Sequence, residues 1–301
     1  MRIDKRTSVE EAVSTIKSGS TIAIGGVHYH NSPMIVIREL IRQNITDLTL
    51  IGGFSLSIQI DILIGAGLVK KVICPYVGFE GYFSPIAPNF RRAAEKNEIE
   101  IVELEEGAAL YGLKAAAHGL PFHPFQSKVI DKTDFPKISP DIYKKVVSPF
   151  DNKSYYVVPQ IKPDIALLHS QYADQSGNAV YLGAGSVDTT MAEASSRVIL
   201  TCDDIVPLEW IRQEYIKTHV IGHFITDLIH EWAPTHPCSS HGMYKHDNQH
   251  IILYLKHARE GKVSFDRYLQ KYVLDPKNQR SYIKLIGGKQ QLGKLKIEGG
   301  Y

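Results

Sequence analysis

The chain has 301 residues, 44% of them hydrophobic, which is enough to bury a sizeable core as one large α/β domain or two small ones. With 34 Lys and Arg against 32 Asp and Glu, the formal charge of +2 is too small to favour nucleic acid or an anionic membrane surface. No apolar run approaches the ~20 residues that span a bilayer, the N-terminal "MRIDKRTSVEEAV" is charged where a secretory leader is apolar, and Cys74, Cys202 and Cys238 are scattered as reduced thiols would be, so a cytoplasmic protein is expected.

In chain order, "SVEEAVSTIKSG" sets Val9, Ala12, Val13 and Ile16 on one helical face, with Ser8 and Glu11 as a capping-box pair and Gly19 beyond the end. "TIAIGG" reads as a short buried strand, and Ser32 and Pro33 stand as cap and first residue of a helix through Leu40. The unit recurs as strand "DLTLIGG", a helix from Ile58 to Ile64, strand "KKVICPYVG", helix "NFRRAAEKN", strand "IEIVEL" and helix "GAALYGLKAAAHG". Strands alternating with helices predict an open, doubly wound, mostly parallel sheet. Residues 125–163 carry five prolines and weak periodicity and read as an excursion between a core of residues 1–124 and a second α/β part, 164–301. That second part takes in "SYYVVPQI" at its border, "DIALLH", "GNAVYLG", helix "SVDTTMAEASS", strand "RVILTC", "HVIGHFITDLIHEW" and terminal helical runs between Asn248 and Leu285.

Such sheets bind ligands beyond the carboxyl ends of their strands. The loops there are "GGVHYHNSP", "GGFSLS", "YVGFEGYFSP" and "LEEG". Glu105 and Glu106 begin a helix, where carboxylates satisfy free N–H groups and the macrodipole; at a strand end, either could instead face the crevice as a base or nucleophile. The glycine pairs Gly25–Gly26 and Gly52–Gly53 permit tight turns and equally a close approach of backbone N–H groups to a carbonyl oxygen. No G-x-G-x-x-G or P-loop is present, so a nucleoside phosphate cofactor is not indicated. His28 and His30, with His236, His241, His246 and His250, lack the spacing of a zinc helix among thirteen histidines, so no metal is expected. No G-x-S-x-G marks a nucleophilic serine, and "GAGSVD" reads as a turn and helix cap.

Taken together, "GSTIAIGG", "ITDLTLIGG", "GLVKKVICPYVG", the run from "FRRAAEKNEIEIVELEEG" to "AAAHGLPFHP", "PDIALLHSQYADQSGN", "APTHPCSSHGMYKHDN" and "YLQKYVLD" resemble the α subunit of family I CoA-transferases, most closely the glutaconate CoA-transferase type. The resemblance implies a single domain of the NagB/RpiA/CoA-transferase type with a helical C-terminal segment. It also implies a hetero-oligomer, α2β2 or larger, with a β subunit whose glutamate attacks the acyl-CoA carbonyl; CoA thioester is then substrate, and no cofactor is expected. Gly25, Gly26 and Asn31, Gly53 and Phe54, Gly78, and Gly107 are the implied acyl-CoA contacts, with Tyr29, Phe79, Tyr82 and Phe83 as further candidates for the pocket lining. At the place of Glu106 the family's α subunits offer a glutamine that can donate to the thioester oxygen, which an ionised carboxylate cannot do. That departure resembles the two-subunit acyl-CoA ring hydrolases of steroid degradation, whose α-subunit acid serves catalysis. Three expectations follow: a CoA-transferase subunit, an acyl-CoA hydrolase subunit using Glu106 as base with Glu105 as its backup, or a non-catalytic ligand-binding protein on the same fold.

Overall fold

The computed structural model describes residues 4–83, 85–125 and 129–297. Its elements run α1 (Val9–Ser14), β1 (Thr21–Ile24), α2 (Met34–Arg42), β2 (Leu48–Gly52), β3 (Ser55–Leu56), α3 (Ile58–Gly65), β4 (Val69–Ile73), β5 (Tyr76–Val77), α4 (Glu80–Phe83), α5 (Pro88–Glu95), β6 (Glu100–Val102) and α6 (Glu106–Ala117). After these come β7 (Phe122–Phe125), α7 (Phe135–Ile138), β8 (Lys144–Val147), β9 (Ser154–Pro159), β10 (Ile165–Ala173), β11 (Ala179–Val180), α8 (Asp188–Ala194), β12 (Arg197–Ile205), α9 (Leu208–Gln213), β13 (Thr218–Val220) and β14 (Asp227–His230). Helices α10 (Asn248–Arg259), α11 (Lys262–Leu269), α12 (Gln279–Leu285) and α13 (Gly288–Leu295) follow.

The main sheet has seven parallel strands side by side in the order β14-β12-β10-β1-β2-β4-β6. Chain order runs outward from β1 in one direction and from β10 in the other, so the topological switch lies between these two neighbours. The end of β10, Tyr172–Ala173, outlasts β1 and pairs with antiparallel β11. A gap therefore opens beyond Ile24, where the chain turns through Gly25 and Gly26. Alternation within β1 sends Ile22 and Ile24 into the core shared with α1, α2, α3, α10 and α11, and Ala23 into the core shared with α6 and α8. Helix α3 is apolar nearly all round and correspondingly buried from Ile58 to Ile64.

Several local expectations are corrected. Ser32 does not cap α2: Pro33 holds the cap position without a side-chain bond, and the Ser32 hydroxyl accepts from Gln59 Nε2 at 2.9 Å. The capping box of α1 is half made, since Ser8 accepts from the Glu11 N–H at 3.1 Å while the Glu11 carboxylate takes the Thr7 hydroxyl. "KKVICPYVG" is two strands rather than one: the chain leaves the main sheet before Pro75, and β5 pairs with β3. The excursion is ordered as a three-stranded antiparallel sheet, β7-β9-β8, which claims "SYYVVP" as its middle strand. At the C-terminus, buried Arg38 donates to Gln279 Oε1 at 2.9 Å and lies 3.8 Å above the Tyr282 ring, while Gln279 Nε2 donates to the Trp232 carbonyl, locking α12 onto the loop after β14. Among the described residues no helix is long and apolar enough to cross a membrane.

Candidate active site

Four consecutive parallel strands end side by side, and every acid and glycine pair singled out above follows one of them. Gly25–Gly26 continue β1, Gly53–Phe54 continue β2, Cys74 continues β4 and Glu105–Glu106 follow β6. Glu105 is held by its helix: it occupies the N-cap of α6, and its two carboxylate oxygens accept from the Gly107 and Ala108 N–H groups, each at 2.7 Å. Its own N–H donates to the Tyr143 hydroxyl at 2.9 Å, and Ser139 Oγ donates to the Glu103 carbonyl at 2.6 Å, so the excursion grips this strand-to-helix joint. The cap thus accounts for Glu105, whereas Glu106 is exposed and has no hydrogen-bond or ion-pair partner among the described residues. Glu106 lies within electrostatic reach of Cys74, whose thiol donates to the Phe54 carbonyl at 3.2 Å and is pushed up to about 12, chiefly by burial. The acid therefore stands beside the second glycine loop.

Most glycine N–H groups in these loops are already committed. Gly25 donates to the Leu167 carbonyl at 2.9 Å, Gly26 to Asp188 Oδ1 at 3.2 Å, Gly78 to the Leu56 carbonyl at 3.0 Å and Gly107 to Glu105. Phe54 differs, since its N–H has no acceptor among the described residues, whereas the β1–β2 register aims the Gly53 N–H at the Ile24 carbonyl. Gly53 also has no room for a side chain, because a Cβ there would lie 2.1 Å from Val187 Cγ2. The absence of a Cβ lets this loop pack against the turn before α8 with the Phe54 N–H left unused, a donor of the kind that an oxyanion needs.

A cleft of about 490 Å³ opens between these loops and that turn, lined by Gly26, Asn31, Phe54, Ser186, Asp188 and His241 among others. Asn31 is buried in the left-handed region at φ 53°, and its Oδ1 accepts from Gln171 Nε2 and the His241 N–H, each at 3.0 Å. Asp188 is 1% exposed; burial raises its carboxyl to about 7, against the Gly26 N–H and Tyr181 hydroxyl that hold it down. His30 faces the same space, and burial followed by the neighbouring His246, His28 and His241 lowers it to about 4. The imidazole is therefore uncharged at neutral pH.

Of the implied contacts, Gly26, Asn31 and Phe54 meet in this cleft; Gly25 and Gly53 form its packed floor, and Gly78 and Gly107 lie along the row of strand ends outside it. Phe79 is fully buried in the core rather than lining a pocket, Tyr29 packs edge-on to Phe83 at 5.3 Å, and the Tyr82 side chain lies outside the described residues. Asp188 and Ser186 were not predicted as site residues, and His241 was named only among the histidines set aside as metal ligands. Asp188 is more than the helix-start acid that "GAGSVD" suggests, and its signal, an acid directly after a glycine-rich turn, was available. Among the described residues no cluster of His, Cys, Asp and Glu could hold a metal ion, and burial raises all three cysteines, leaving no thiolate to act as nucleophile.

Residues 6–230 match the family profile described as Coenzyme A transferase. The chain belongs to the coenzyme A transferase family. An Archaeoglobus fulgidus protein is 34% identical over 97% of this chain, which spans 64% of that relative's length. The A subunit of glutaconate CoA-transferase from Acidaminococcus fermentans is 28% identical over 99% of this chain and 96% of its own. The crystal structure of glutaconate coenzyme A-transferase from that organism superposes with a TM-score of 0.89, covering 99% of this chain and 98% of the other, so sheet and C-terminal helices alike share its fold. A cholesterol ring-cleaving hydrolase IpdA subunit from Rhodococcus jostii is 33% identical over 74% of each chain. Within this CoA-transferase family, the A subunits of transferases and of a hydrolase are thus both relatives of the chain.

Proposed function

We propose that this chain is the A subunit of a heteromeric acyl-CoA:carboxylate CoA-transferase, paired with a B subunit that supplies the nucleophilic glutamate in an assembly of two copies of each or larger. The observation that carries the reading is the open row of strand ends with an unused N–H at Phe54, on a chain that corresponds end to end with a transferase A subunit. The partner's carboxylate adds to the thioester carbonyl, and expulsion of the CoA thiolate leaves a mixed anhydride. The thiolate then attacks the glutamyl carbonyl, releasing the first acid and leaving an enzyme–CoA thioester, which a second carboxylate takes through the same steps in reverse. This chain's share is electrostatic: the Phe54 N–H donates to the oxyanion of each addition, and the raised Asp188, about half protonated at neutral pH, repels an anionic nucleophile less than an ordinary carboxylate would. Coexpression with a B-type chain from the same gene neighbourhood tests this. Acyl exchange between a CoA thioester and a free carboxylate is expected from the pair and not from either chain alone; turnover by this chain alone would sink the proposal.

A second reading rests on Glu106. It is exposed and unpartnered among the described residues while its neighbour is consumed by the helix cap, so it is available to take a proton from water. In that case the pair is an acyl-CoA hydrolase, and Glu106→Gln abolishes turnover; in the transferase case the same substitution leaves exchange intact.

A further inference from the structure

The composition of the cleft beyond β1 bears on what can enter it. Val27, Phe54 and Ala184 give it apolar wall, and neither Lys nor Arg is among the residues that line it. Its carboxyl, Asp188, is in part ionised at neutral pH. The polar group set most firmly in the lining is Asn31, 6% exposed. Its N–H donates to the Ser239 carbonyl at 2.9 Å, and its Oδ1 is used twice, by Gln171 Nε2 and by the His241 N–H. Two donors at one end of the amide fix which end is oxygen, so the NH2 end is the one left without an acceptor among the described residues. That end is not sealed in: the buried side-chain atoms that lack a partner include His28 Nδ1 and Arg38 Nε but no atom of Asn31. Nδ2 therefore opens on the cleft, as a neutral donor on a side chain held at its other end.

We propose that Asn31 selects the acyl group: the cleft takes a CoA thioester whose acyl chain is uncharged and carries a neutral oxygen, a ketone or hydroxyl, that accepts from Asn31 Nδ2, and it rejects the half-thioester of a dicarboxylic acid. The proposal deepens the transferase reading and rests on it. A second carboxylate would enter an apolar lining without a cation, with Asp188 close by, and one amide donor does not offset the loss of its hydration. A neutral oxygen costs far less to strip of water, and a single donor satisfies it. A plain alkyl chain fares worse than the oxygenated one, because it would cover Nδ2 and leave that donor with nothing to bond. Asn31 is already in place for this choice before any ligand arrives, since Gln171 from β10 and the backbone of Ser239 and His241 hold it.

The test compares CoA thioesters of one chain length in the paired enzyme: 3-oxopentanoyl, 4-oxopentanoyl, pentanoyl and glutaryl. The better of the two oxo thioesters is expected to exceed pentanoyl-CoA about tenfold in kcat/KM, and glutaryl-CoA to fall roughly 100-fold below it. Asn31→Asp keeps an acceptor for Gln171 and His241, suits the left-handed backbone and removes the donor, so the oxo preference over pentanoyl should disappear. Ala184→Arg, at an exposed lining position where the fold is not at stake, adds the missing cation and should raise glutaryl-CoA relative to pentanoyl-CoA about tenfold. Glutaryl-CoA used as well as the oxo thioesters, an oxo preference that is absent or survives Asn31→Asp, or a glutaryl ratio unmoved by Ala184→Arg overturns the proposal. The dissociation constants of the matching unreactive thioethers separate this from the function itself. The same order of binding without acyl exchange would overturn the transferase reading and leave selection by Asn31 standing, whereas exchange without that order would do the reverse.

Discussion

The two wings of the sheet end in opposite ways. Strands β1, β2, β4 and β6 run out into glycine turns, an unused N–H at Phe54 and an exposed acid, with a cleft at their inner border. Strands β10 and β12 run out into a buried polar web, where Gln171 reaches Asn31 and Ser240, and His169 bridges Thr201 to Ser240 and Asp203. Both wings are parallel strands in one sheet, so backbone pattern does not account for the contrast. It lies in hydrogen-bond bookkeeping: one wing leaves the Phe54 N–H unmatched beside a cleft, and the other matches most of its own groups internally.

The substitution expected to act most strongly is Glu106→Gln in the paired enzyme. Loss of CoA release by roughly 10²–10⁴-fold would make the open wing itself the seat of proton transfer, whereas acyl exchange held within a few-fold would leave it as a donor surface for a partner's nucleophile. Next is Asp188, which joins the wings by reaching from α8 to Gly26. Its carboxyl is raised from 3.8 to about 7 in the fold, so the folded state holds the proton more tightly than the unfolded chain. The resulting stability is fully present below about pH 4 and is lost as pH rises through 7, by at most about 4 kcal/mol. Urea denaturation from pH 4 to 8 should show this decline in the native chain and a flatter profile in Asp188→Asn; identical profiles would mean the acid ionises normally and the junction is less dry than its burial implies. Exchange activity should likewise fall above pH 7 and lose that fall in the variant, with Tyr181, His30 and His241 the other titratable groups nearby.

Smaller effects probe the open wing's packing. Gly53→Ala drives a methyl into Val187 and should cost about 1–3 kcal/mol in urea midpoint analysis. Gly293→Ala, where an added Cβ meets nothing within 4 Å, should cost nothing or stabilise α13. Equal behaviour of the two would refute the claim that Gly53 is needed for close approach. Glu105→Ala removes two bonds to the start of α6 and should cost about 1 kcal/mol. A far larger loss of activity than of stability in that variant would exchange the roles of the two neighbouring acids.

Much of the fold was legible because its signals are local. The β1–α6 rhythm follows from apolar periodicity and terminating glycines, and it placed Gly25, Gly53 and Glu106 on the correct side of the sheet. What was hidden depends on pairing between distant segments. The antiparallel sheet β7-β9-β8 has weak periodicity because its strands lie half exposed, and β5 leaves its parent strand to join β3 through contacts no local window contains. The cleft was hidden for the same reason, since Gly26 and Asp188 meet across 162 residues of chain. The division of labour between Glu105 and Glu106 turned on which one the α6 N-terminus captured, a one-residue matter that periodicity does not resolve.

The hold of Tyr143 and Ser139 on the joint before α6 has a corollary. The backbone just before residue 106 is held by the connection between α7 and β8, much as a tool rest holds a blade. Changes confined to that connection would therefore be felt at the start of α6 without any substitution in the helix or the sheet.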